Sequence, residues 1–457
     1  MGESHKKHWD RLKEYTAEIL EKNRVPGAVV GILHQGEVAT AAFGVTNVDH
    51  PLPVTDETLF QIGSITKTFT GTAAMRLVEM GKVDLDATVQ TYLPDFKVAD
   101  EDASRRATVK HLLTHMGGWV GDLFIDTGTG EDAVAAYVSS MADLEQLAPI
   151  GTVHSYNNAG FSVAGLIIEK VMGINYDDAM QELVLKPLEL KNLYFHAGDV
   201  ISHRFAVGHT VGENGAEVAR PWSLPRGVHP AGGIICDVHT LLRYARFHLG
   251  NGLTDKKTGP LMSESIVTMQ TPHATVWGKD SWGISWAVND SYGCRQISHG
   301  GGTVGQISLL KLVPEQSFAL AVFTNANKGG SITGEINRWA LKQYLGIDIA
   351  DPEPKKAPEK DLIPYVGRYS RPLIDIELGM LGGQLIGRAT PKAGFPTEDA
   401  PPPPPSPPAT MDLCEKDRLV TMDGPAKGSV ADVVRKGDGS IGWLRAGGRA
   451  HVLHAQE

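Results

Sequence analysis

The sequence predicts an α/β protein of the α+β type, in which helices flank one antiparallel sheet and a small β-barrel-like domain follows. Apolar runs around turn residues predict β-hairpins in two distant segments, residues 27–44 and 306–325. Between them, helical segments punctuated by glycine and proline indicate a mostly helical subdomain at roughly residues 85–230. Beyond residue 360, short runs of alternating apolar and polar residues predict strands.

The first domain, residues 1–349, is predicted to have a helix at each end. Residues 6–24 carry apolar side chains among charged ones, which predicts a surface helix packed along one face. A final helix is predicted at residues 332–345. The hairpin turns are Gln35-Gly36 and Pro314-Glu315-Gln316. Because the hairpins lie far apart in the chain, we expect one sheet to be assembled from both.

The character of the chain changes after this domain. Residues 350–360 are rich in proline and charge and predict a linker. Residues 361–457 predict a small all-β domain, interrupted by a Pro-rich insertion at residues 392–411. A run of prolines in this insertion predicts exposed polyproline II backbone, which serves as a solvated spacer more often than as a docking site.

The composition is that of a globular protein, with 42% apolar and 21% charged residues. The net charge of −10, with no basic cluster, argues against a nucleic-acid partner. The apolar runs are far shorter than a membrane helix requires, so no membrane partner is expected. The N-terminus shows no apolar signal core, and the three cysteines suit reduced thiols, so a cytoplasmic location is expected.

The segment around Ser64 carries the first catalytic signal. A short apolar strand end meets Gly63, and an amphipathic helix is predicted to run from Ser64 to Gly81. A serine at a helix N-terminus lies where free N–H groups favour developing negative charge. Lys67 is three residues later, so its amine lies on the same helix face and can take the serine proton if its pKa is lowered. The alternative is a helix-capping serine beside a surface lysine.

Two further segments support the catalytic interpretation. Tyr156 and Asn158 precede an apolar helix, where Asn158 either caps the helix or binds substrate, and Tyr156 either packs beneath it or relays a proton. The stretch Ser298-His299-Gly300-Gly301-Gly302 comes directly before a predicted strand. It also resembles a dinucleotide-binding turn and a lipase oxyanion loop. The first would require a helix after it, and the second a G-x-S-x-G elbow that the chain lacks.

Taken in order, Ser64-Ile65-Thr66-Lys67, Tyr156-Asn157-Asn158 and His299-Gly300-Gly301 resemble the three motifs of serine β-lactamase-like hydrolases. This group includes class C β-lactamases, D-alanyl-D-alanine carboxypeptidases, D-aminopeptidases and family VIII esterases. The resemblance covers roughly residues 10–346 and implies a β-lactamase/penicillin-binding-protein-like fold. The C-terminal domain resembles the lipocalin-like barrel that some relatives append.

The resemblance implies acyl transfer through a covalent ester on Ser64. Lys67 and Tyr156 would share the proton transfers, and which of them is the general base stays open. The backbone N–H groups of Ser64 and Gly302 would form the oxyanion hole. The resemblance further implies substrate-binding roles for the following residues: Asn158, His299, Gly301 and Gly302.

One departure narrows the expected substrate. β-Lactamases carry Lys-Thr-Gly where this chain has His299-Gly300-Gly301, and histidine is mostly neutral at pH 7. His299 could bind a substrate carboxylate only when protonated. We therefore expect an esterase or a D-amino-acid amidase or peptidase acting on a small ester, amide or short peptide. A β-lactamase is one alternative, and a catalytically weak penicillin-binding or sensor module is another.

No cofactor or metal is expected from the sequence. His111 and His115 are four residues apart on one predicted helix face, but no third ligand can be named. A structural role at this turn is the simpler interpretation.

Overall fold

The computed structural model describes residues 3–250, 259–395 and 400–454, with side chains from Lys6 onward. Residues 396–399 of the predicted Pro-rich insertion lie outside the described residues. The strands are β1 Gly27–His34, β2 Glu37–Gly44, β3 Phe60–Gln61, β4 Leu193–Tyr194, β5 His209–Gly212, β6 Gly215–Val218, β7 Ile235–Cys236, β8 Ala274–Trp277, β9 Asp280–Trp282, β10 Ala287–Asn289, β11 Gln296–Gly302, β12 Ile307–Val313, β13 Phe318–Thr324, β14 Gly367–Arg371, β15 Ile374–Leu381, β16 Gln384–Pro391, β17 Ala409–Glu415, β18 Arg418–Thr421, β19 Val430–Arg435, β20 Ile441–Ala446 and β21 Arg449–His454.

The helices fall mainly between β2 and β8, where the sequence predicts a helical subdomain. They are α1 Glu3–Asn23, α2 Thr66–Glu79, α3 Val89–Tyr92, α4 Glu101–Arg106, α5 Val109–Leu113, α6 Ala133–Ser139, α7 Asn158–Met172, α8 Tyr176–Met180, α9 Ala197–Val200, α10 His229–Gly232, α11 Val238–Leu249, α12 Ser263–Met269, α13 Gly329–Leu345 and α14 Glu359–Leu362.

The central sheet has eight antiparallel strands in the order β2-β1-β13-β12-β11-β10-β9-β8. The N-terminal hairpin joins the C-terminal one, because β1 pairs with β13 in a register that places Ala28 opposite Thr324. The expectation of one sheet built from distant segments is thus confirmed. Every residue of β13, Phe318–Thr324, is buried, since helices cover both faces of the sheet.

Helices pack against the sheet from both sides and divide the core in two. On one face α1 and α13 enclose a cluster that includes Leu12, Val30 and Ile336. On the other face α2, α7 and α11 enclose the larger cluster, with Phe69 and Phe323 among its members.

Helix α2 is buried along most of its length in this larger cluster, and it carries polar residues inside the core. The Thr70 hydroxyl donates to the carbonyl of Pro230 at 2.7 Å, and the Thr72 hydroxyl lies 2.9 Å from that of Tyr244. Buried hydroxyls need such partners, because an unpaired polar group in a core costs about 1–3 kcal/mol. Helix α2 is therefore fixed in position by both packing and hydrogen bonds.

The C-terminal domain is a closed eight-stranded antiparallel barrel formed by β14–β21. It closes where β14 pairs with β21, with Tyr369 opposite Leu453. Closure leaves no free strand edge, which removes a route to aggregation. The sequence predicts an all-β domain here, and its alternating runs at residues 373–378, 385–389, 429–434 and 441–444 overlap β15, β16, β19 and β20.

The barrel packs directly on the first domain. The indole N–H of Trp443 donates to the carbonyl of Leu147 at 2.7 Å, and its ring packs with Ala148, Val153 and Ala450. This contact joins strand β20 of the barrel to the loop that precedes the Tyr156 segment. None of the helices in the described ranges is long and apolar enough to cross a membrane.

We expect Trp443→Ala to lower the free energy of unfolding of the full chain by about 3–5 kcal/mol, because it removes a buried aromatic side chain at the domain contact. Urea unfolding followed by circular dichroism measures this. The matched control is Leu381→Ala in the same barrel, where the side chain is 72% exposed and the change should stay within about 0.5 kcal/mol. Equal stability of the two variants would contradict the assigned role of Trp443.

Candidate active site

Ser64 lies in a 3₁₀ turn, Gly63–Ile65, between strand β3 and helix α2. Gly63 has a φ of +52°, and a Cβ atom there would lie 2.6 Å from the backbone nitrogen of Gly302. Only glycine adopts this conformation without strain and leaves room for β11 to approach so closely. The turn therefore brings Ser64 against the glycine-rich end of β11.

Lys67 occupies the first turn of α2 and is fully buried. Its Nζ atom lies 3.1 Å from Oγ of Ser64, 2.7 Å from Oδ1 of Asn158 and 2.6 Å from the carbonyl oxygen of Ala231. The structure thus brings together the serine and the lysine that the sequence places three residues apart.

The charge state of Lys67 follows from this burial. Desolvation lowers the pKa of its amine well below the ordinary value, the nearby Arg449 lowers it further, and Asp122 opposes the shift. A neutral amine has two protons and one lone pair. The amide and carbonyl oxygens can only accept, so they take the two protons, and the lone pair is left for the Ser64 hydroxyl. This is the arrangement that a general base requires.

Asn158 is the first residue of α7, but it does not cap the helix. The capping oxygen belongs to Asn157, whose Oδ1 accepts from the N–H of Gly160 at 2.7 Å. Asn158 instead uses its Oδ1 for Lys67 and donates from Nδ2 to Oδ1 of Asp122 at 2.6 Å. The amide lines the cavity beside Ser64, so its second N–H proton can reach a substrate carbonyl.

Tyr156 lies across the site from Ser64, and its ring centre is 5.0 Å from Nζ of Lys67. Burial raises the pKa of its phenol well above the usual value, while a hydrogen bond with Ser64 and the charge of Arg449 lower it in part. The phenol is therefore protonated near pH 7. A hydroxyl in contact with the nucleophile can pass a proton toward a leaving group.

The glycines of β11 form the opposite wall. Gly301 packs against the carbonyl of Ile62, and Gly302 lies against Gly63, so both predicted residues border the Ser64 turn. Ser64 and Gly302 thus both line the same cavity, as an oxyanion hole formed by their backbone N–H groups would require.

His299 is buried in β11, with 4% of its surface exposed. Its Nδ1 lies 2.6 Å from the carbonyl oxygen of Gly300, which can only accept, so Nδ1 carries the proton. Among the described residues, Nε2 has no hydrogen-bond partner. Burial, assisted by the charge of Lys67, lowers the pKa of His299 to about 3. The imidazole is therefore neutral at pH 7 and offers a substrate carboxylate no positive charge.

Sequence reasoning missed a buried charge cluster centred on Asp122. Its carboxylate accepts from Nε and Nη2 of Arg449 at 2.6 and 3.1 Å, and from Nη1 of Arg371 at 2.9 Å. Burial raises the pKa of Asp122, but the two arginines outweigh it and bring the value to about 2. Both arginines belong to the barrel. The Gly447-Gly448 pair that precedes Arg449 predicts a tight turn, but nothing in the sequence links that turn to Asp122.

Two cavities meet at Ser64. The larger has a volume of about 700 Å³ and is lined by β11, by Trp282 and by the two barrel arginines. The smaller, about 60 Å³, is apolar and lies on the other side of the serine, with Leu123, Ile125 and Leu224 among its walls. Phe395 of the predicted Pro-rich insertion borders both cavities, although 44% of its surface is exposed. The prolines at 401–405 are exposed, as the sequence predicts.

A possible metal-ligand group occurs away from this site. Within the described residues, ligand atoms of Asp177, His196 and His229 lie within 4.8 Å of one another. Oδ1 of Asp177 is 2.9 Å from Nδ1 of His229, and its Oδ2 is 3.4 Å from Nε of Arg226. The carboxylate is thus already paired with a cation. His115, considered above as a ligand, accepts from the N–H of Asn157 through Nδ1 at 2.9 Å.

Solved structures share this two-domain architecture. The octameric penicillin-binding protein homologue from Pyrococcus abyssi is 26% identical, with a TM-score of 0.67 over 97% of this chain and 99% of that one. The crystal structure of SurE with D-Leu has a TM-score of 0.76 over 98% of this chain and 99% of that one, at 24% identity, which shows the fold alone.

Sequence comparison agrees with the structural likeness. Penicillin-binding protein 4 of Amycolatopsis lactamdurans is 32% identical over 374 residues, which cover 80% of this chain and 97% of that protein. The sequence profile of the Beta-lactamase family matches residues 12–344, which carry Ser64, Lys67, Tyr156, Asn158 and His299. The chain therefore belongs to the β-lactamase family of serine hydrolases, with a closed β-barrel appended to the family domain.

Proposed function

We propose that the protein hydrolyses an ester or amide bond through an acyl-enzyme on Ser64, as an esterase or a D-amino-acid amidase or peptidase. The observation that carries this proposal is the buried Lys67 amine, held 3.1 Å from Oγ of Ser64 by two acceptors that take its protons. A desolvated lysine in this position has no evident structural use, because an unpaired cation in a core is costly.

The distances around Ser64 support the following steps of acylation and deacylation. Neutral Lys67 takes the proton of Ser64, and Oγ attacks the substrate carbonyl carbon. The N–H groups of Ser64 and Gly302 stabilise the negative charge on the carbonyl oxygen. When the carbonyl re-forms, the bond to the leaving group breaks, and Tyr156 passes a proton to that group and is reprotonated from Lys67. Water then attacks the ester carbonyl carbon and gives a proton to Lys67. As the bond from the acyl carbon to Oγ breaks, Lys67 returns this proton to Oγ, which releases the acid and restores Ser64.

The cavities support a substrate larger than a simple acetate ester. The small apolar cavity fits a short aliphatic or aromatic group on the acyl side of the scissile bond. The large cavity, about 700 Å³, is of the size that holds a drug-sized or short-peptide ligand. The two positive charges of Arg371 and Arg449 outnumber the single negative charge of Asp122. We therefore expect this cavity to favour a substrate whose leaving group is neutral or anionic.

β-Lactam hydrolysis is the second candidate, favoured by the match of the Beta-lactamase family profile to residues 12–344. The neutral His299, where β-lactamases carry lysine, counts against it as the main activity. A panel of p-nitrophenyl esters, D- and L-amino acid anilides and a chromogenic cephalosporin separates the candidates. Highest kcat/KM on a D-anilide or an ester supports the proposal, whereas highest kcat/KM on the cephalosporin supports the β-lactamase.

A sensor module is the alternative from another class. Such a protein would form the Ser64 ester but would not hydrolyse it. The time course of a penicillin adduct by intact mass distinguishes the two, since an enzyme clears the adduct and a sensor retains it.

We expect a fluorophosphonate to add one adduct to the wild-type protein and none to Ser64→Ala, because the adduct forms on the serine oxygen. Intact mass spectrometry after incubation with a small fluorophosphonate measures this. Ser265→Ala is the matched control: this buried serine lies in α12, is absent from the lining of the site, and its removal should leave labelling unchanged. An adduct that persists in Ser64→Ala would show that the nucleophile is another residue.

We expect acylation to rise with pH and reach a plateau well below pH 10, because only the neutral form of Lys67 accepts the serine proton and its pKa is lowered. Below that pKa the rate should fall about tenfold per pH unit.

We expect Lys67→Ala and Tyr156→Phe each to slow labelling by about 10²–10⁴-fold, because each removes a proton-transfer group. Circular dichroism checks that the fold is unchanged. A wild-type rate in either variant would refute the role given to that residue.

We expect His299 to stay neutral from pH 5 to 9, because burial lowers its pKa to about 3. Proton–carbon NMR of the imidazole Cε1 group measures its titration, with the signal assigned by its loss in His299→Gln. Titration of His299 near pH 6.5 would restore it as a binder of substrate carboxylate.

A further inference from the structure

The last hairpin of the barrel enters the active site of the family domain. Its turn residues Gly447 and Gly448 have φ values of +56° and +76°, which the turn requires. The carbonyl of Gly448 accepts from the N–H of Tyr156 at 2.9 Å, and the N–H of Ala450 donates to Oγ of Ser155 at 3.1 Å. The hairpin thus holds the backbone of the segment that carries Tyr156 and Asn158.

Arg449 is the side chain that this hairpin delivers. It donates to both oxygens of Asp122, and its Cζ atom lies 4.9 Å from the centre of the Tyr156 ring. A two-point contact fixes the orientation as well as the position of a carboxylate. Arg371 supplies only one further hydrogen bond to the same group.

The orientation of Asp122 decides the orientation of Asn158. Since a carboxylate can only accept, Oδ1 of Asp122 must face the NH₂ end of the Asn158 amide, which turns the amide oxygen toward Lys67. A flipped amide would set two donors against the Lys67 amine. That amine would then lose an acceptor, and its lone pair would no longer be directed at Ser64.

The charges around Lys67 also favour the neutral form of its amine. Asp122 alone would favour the ammonium form of Lys67 and raise its pKa, whereas the charge of Arg449 lowers that pKa and outweighs Asp122. The titratable and charged groups that face the Lys67 amine are Asp122, Tyr156, His115, His299 and Arg449.

We propose that Arg449, a residue of the barrel, is a positioning residue for the acylation of Ser64 and acts through Asp122 and Asn158 on Lys67. This inference rests on the proposed function. It makes the barrel a component of the catalytic machinery, and it is separate from any contact of Arg449 with substrate.

The test measures second-order labelling of the full chain by a small neutral fluorophosphonate, which is too short to need a carboxylate-binding group. We expect Arg449→Gln to label about 10²-fold more slowly, since small misplacements of catalytic groups cost that much. The rise of rate with pH should shift to higher pH, because a positive neighbour of Lys67 is lost. Arg449→Lys keeps the charge without the two-point contact and should be slower than wild type with a smaller pH shift.

The matched control is Arg435→Gln. Arg435 makes the same two-point contact with an aspartate, Asp417, at 3.0 and 2.6 Å, but elsewhere in the barrel. Its loss should leave the labelling rate and its pH dependence unchanged. Asp122→Asn should slow labelling, and the double variant with Arg449→Gln should be no slower than the slower single variant, since both act on one chain of contacts.

The outcomes separate the inference from the proposed function. No Ser64 adduct in the wild type would refute the proposed function. A labelled wild type with equally fast Arg449→Gln would overturn the inference alone. An Arg449→Gln variant in which only the KM for carboxylate-bearing substrates rises would identify Arg449 as a substrate-binding residue. That result would also overturn the inference. If Arg449→Gln does not fold, the labelling rates of Arg449→Lys and Asp122→Asn are compared with that of the wild type instead.

Discussion

The desolvation of one amine is the constraint on which the rest of this site depends. Lys67 lies in a helix that is buried on all sides, and the pKa of its side chain is lowered by that burial. A buried amine must satisfy its hydrogen bonds, and among the described residues its two protons are accepted by Asn158 and the carbonyl of Ala231, beside the Ser64 hydroxyl. The same condition that keeps the helix in the core therefore directs the lone pair of the amine at the nucleophile. The burial of Lys67 therefore accounts both for its place in the core and for its suitability as a base.

The hydrogen bonds of Lys67 also fix the orientation of the polar groups around it. The amide of Asn158 is oriented by Lys67 on one side and by Asp122 on the other. The carboxylate of Asp122 is itself buried, and a buried charge requires opposite charge and hydrogen bonds. Within the described ranges, the arginines bonded to it are Arg371 and Arg449, and both belong to the barrel. The contact of Trp443 with Leu147 fixes the barrel at the position from which these arginines reach Asp122.

The parts of this arrangement that are local in sequence could be predicted from it. A spacing of three on a helix predicts that Ser64 and Lys67 are neighbours. Apolar runs around turn residues predict β1 and β13, and short alternating runs predict strands in the C-terminal domain. The family resemblance supplied the grouping of Ser64, Tyr156 and His299, which no periodicity encodes. Asp122 and Arg449 are 327 positions apart, and their pairing depends on how a closed barrel packs on another domain. Phe395 was missed for a related reason: a proline-rich composition predicts local conformation but not the surface against which the chain lies.

The identity of residue 299 is consistent with this balance of charge. The two barrel arginines already exceed the charge of Asp122 by one within the site. A lysine at position 299 would place a second uncompensated cation in the buried strand beside Lys67, and buried charges without partners are strongly unfavourable. Histidine avoids that cost, because its ring can bond the carbonyl of Gly300 and remain neutral. The net positive charge near Ser64 therefore comes from the barrel arginines and not from residue 299. Among the described residues, Nε2 of the neutral His299 ring has no hydrogen-bond partner and can accept one.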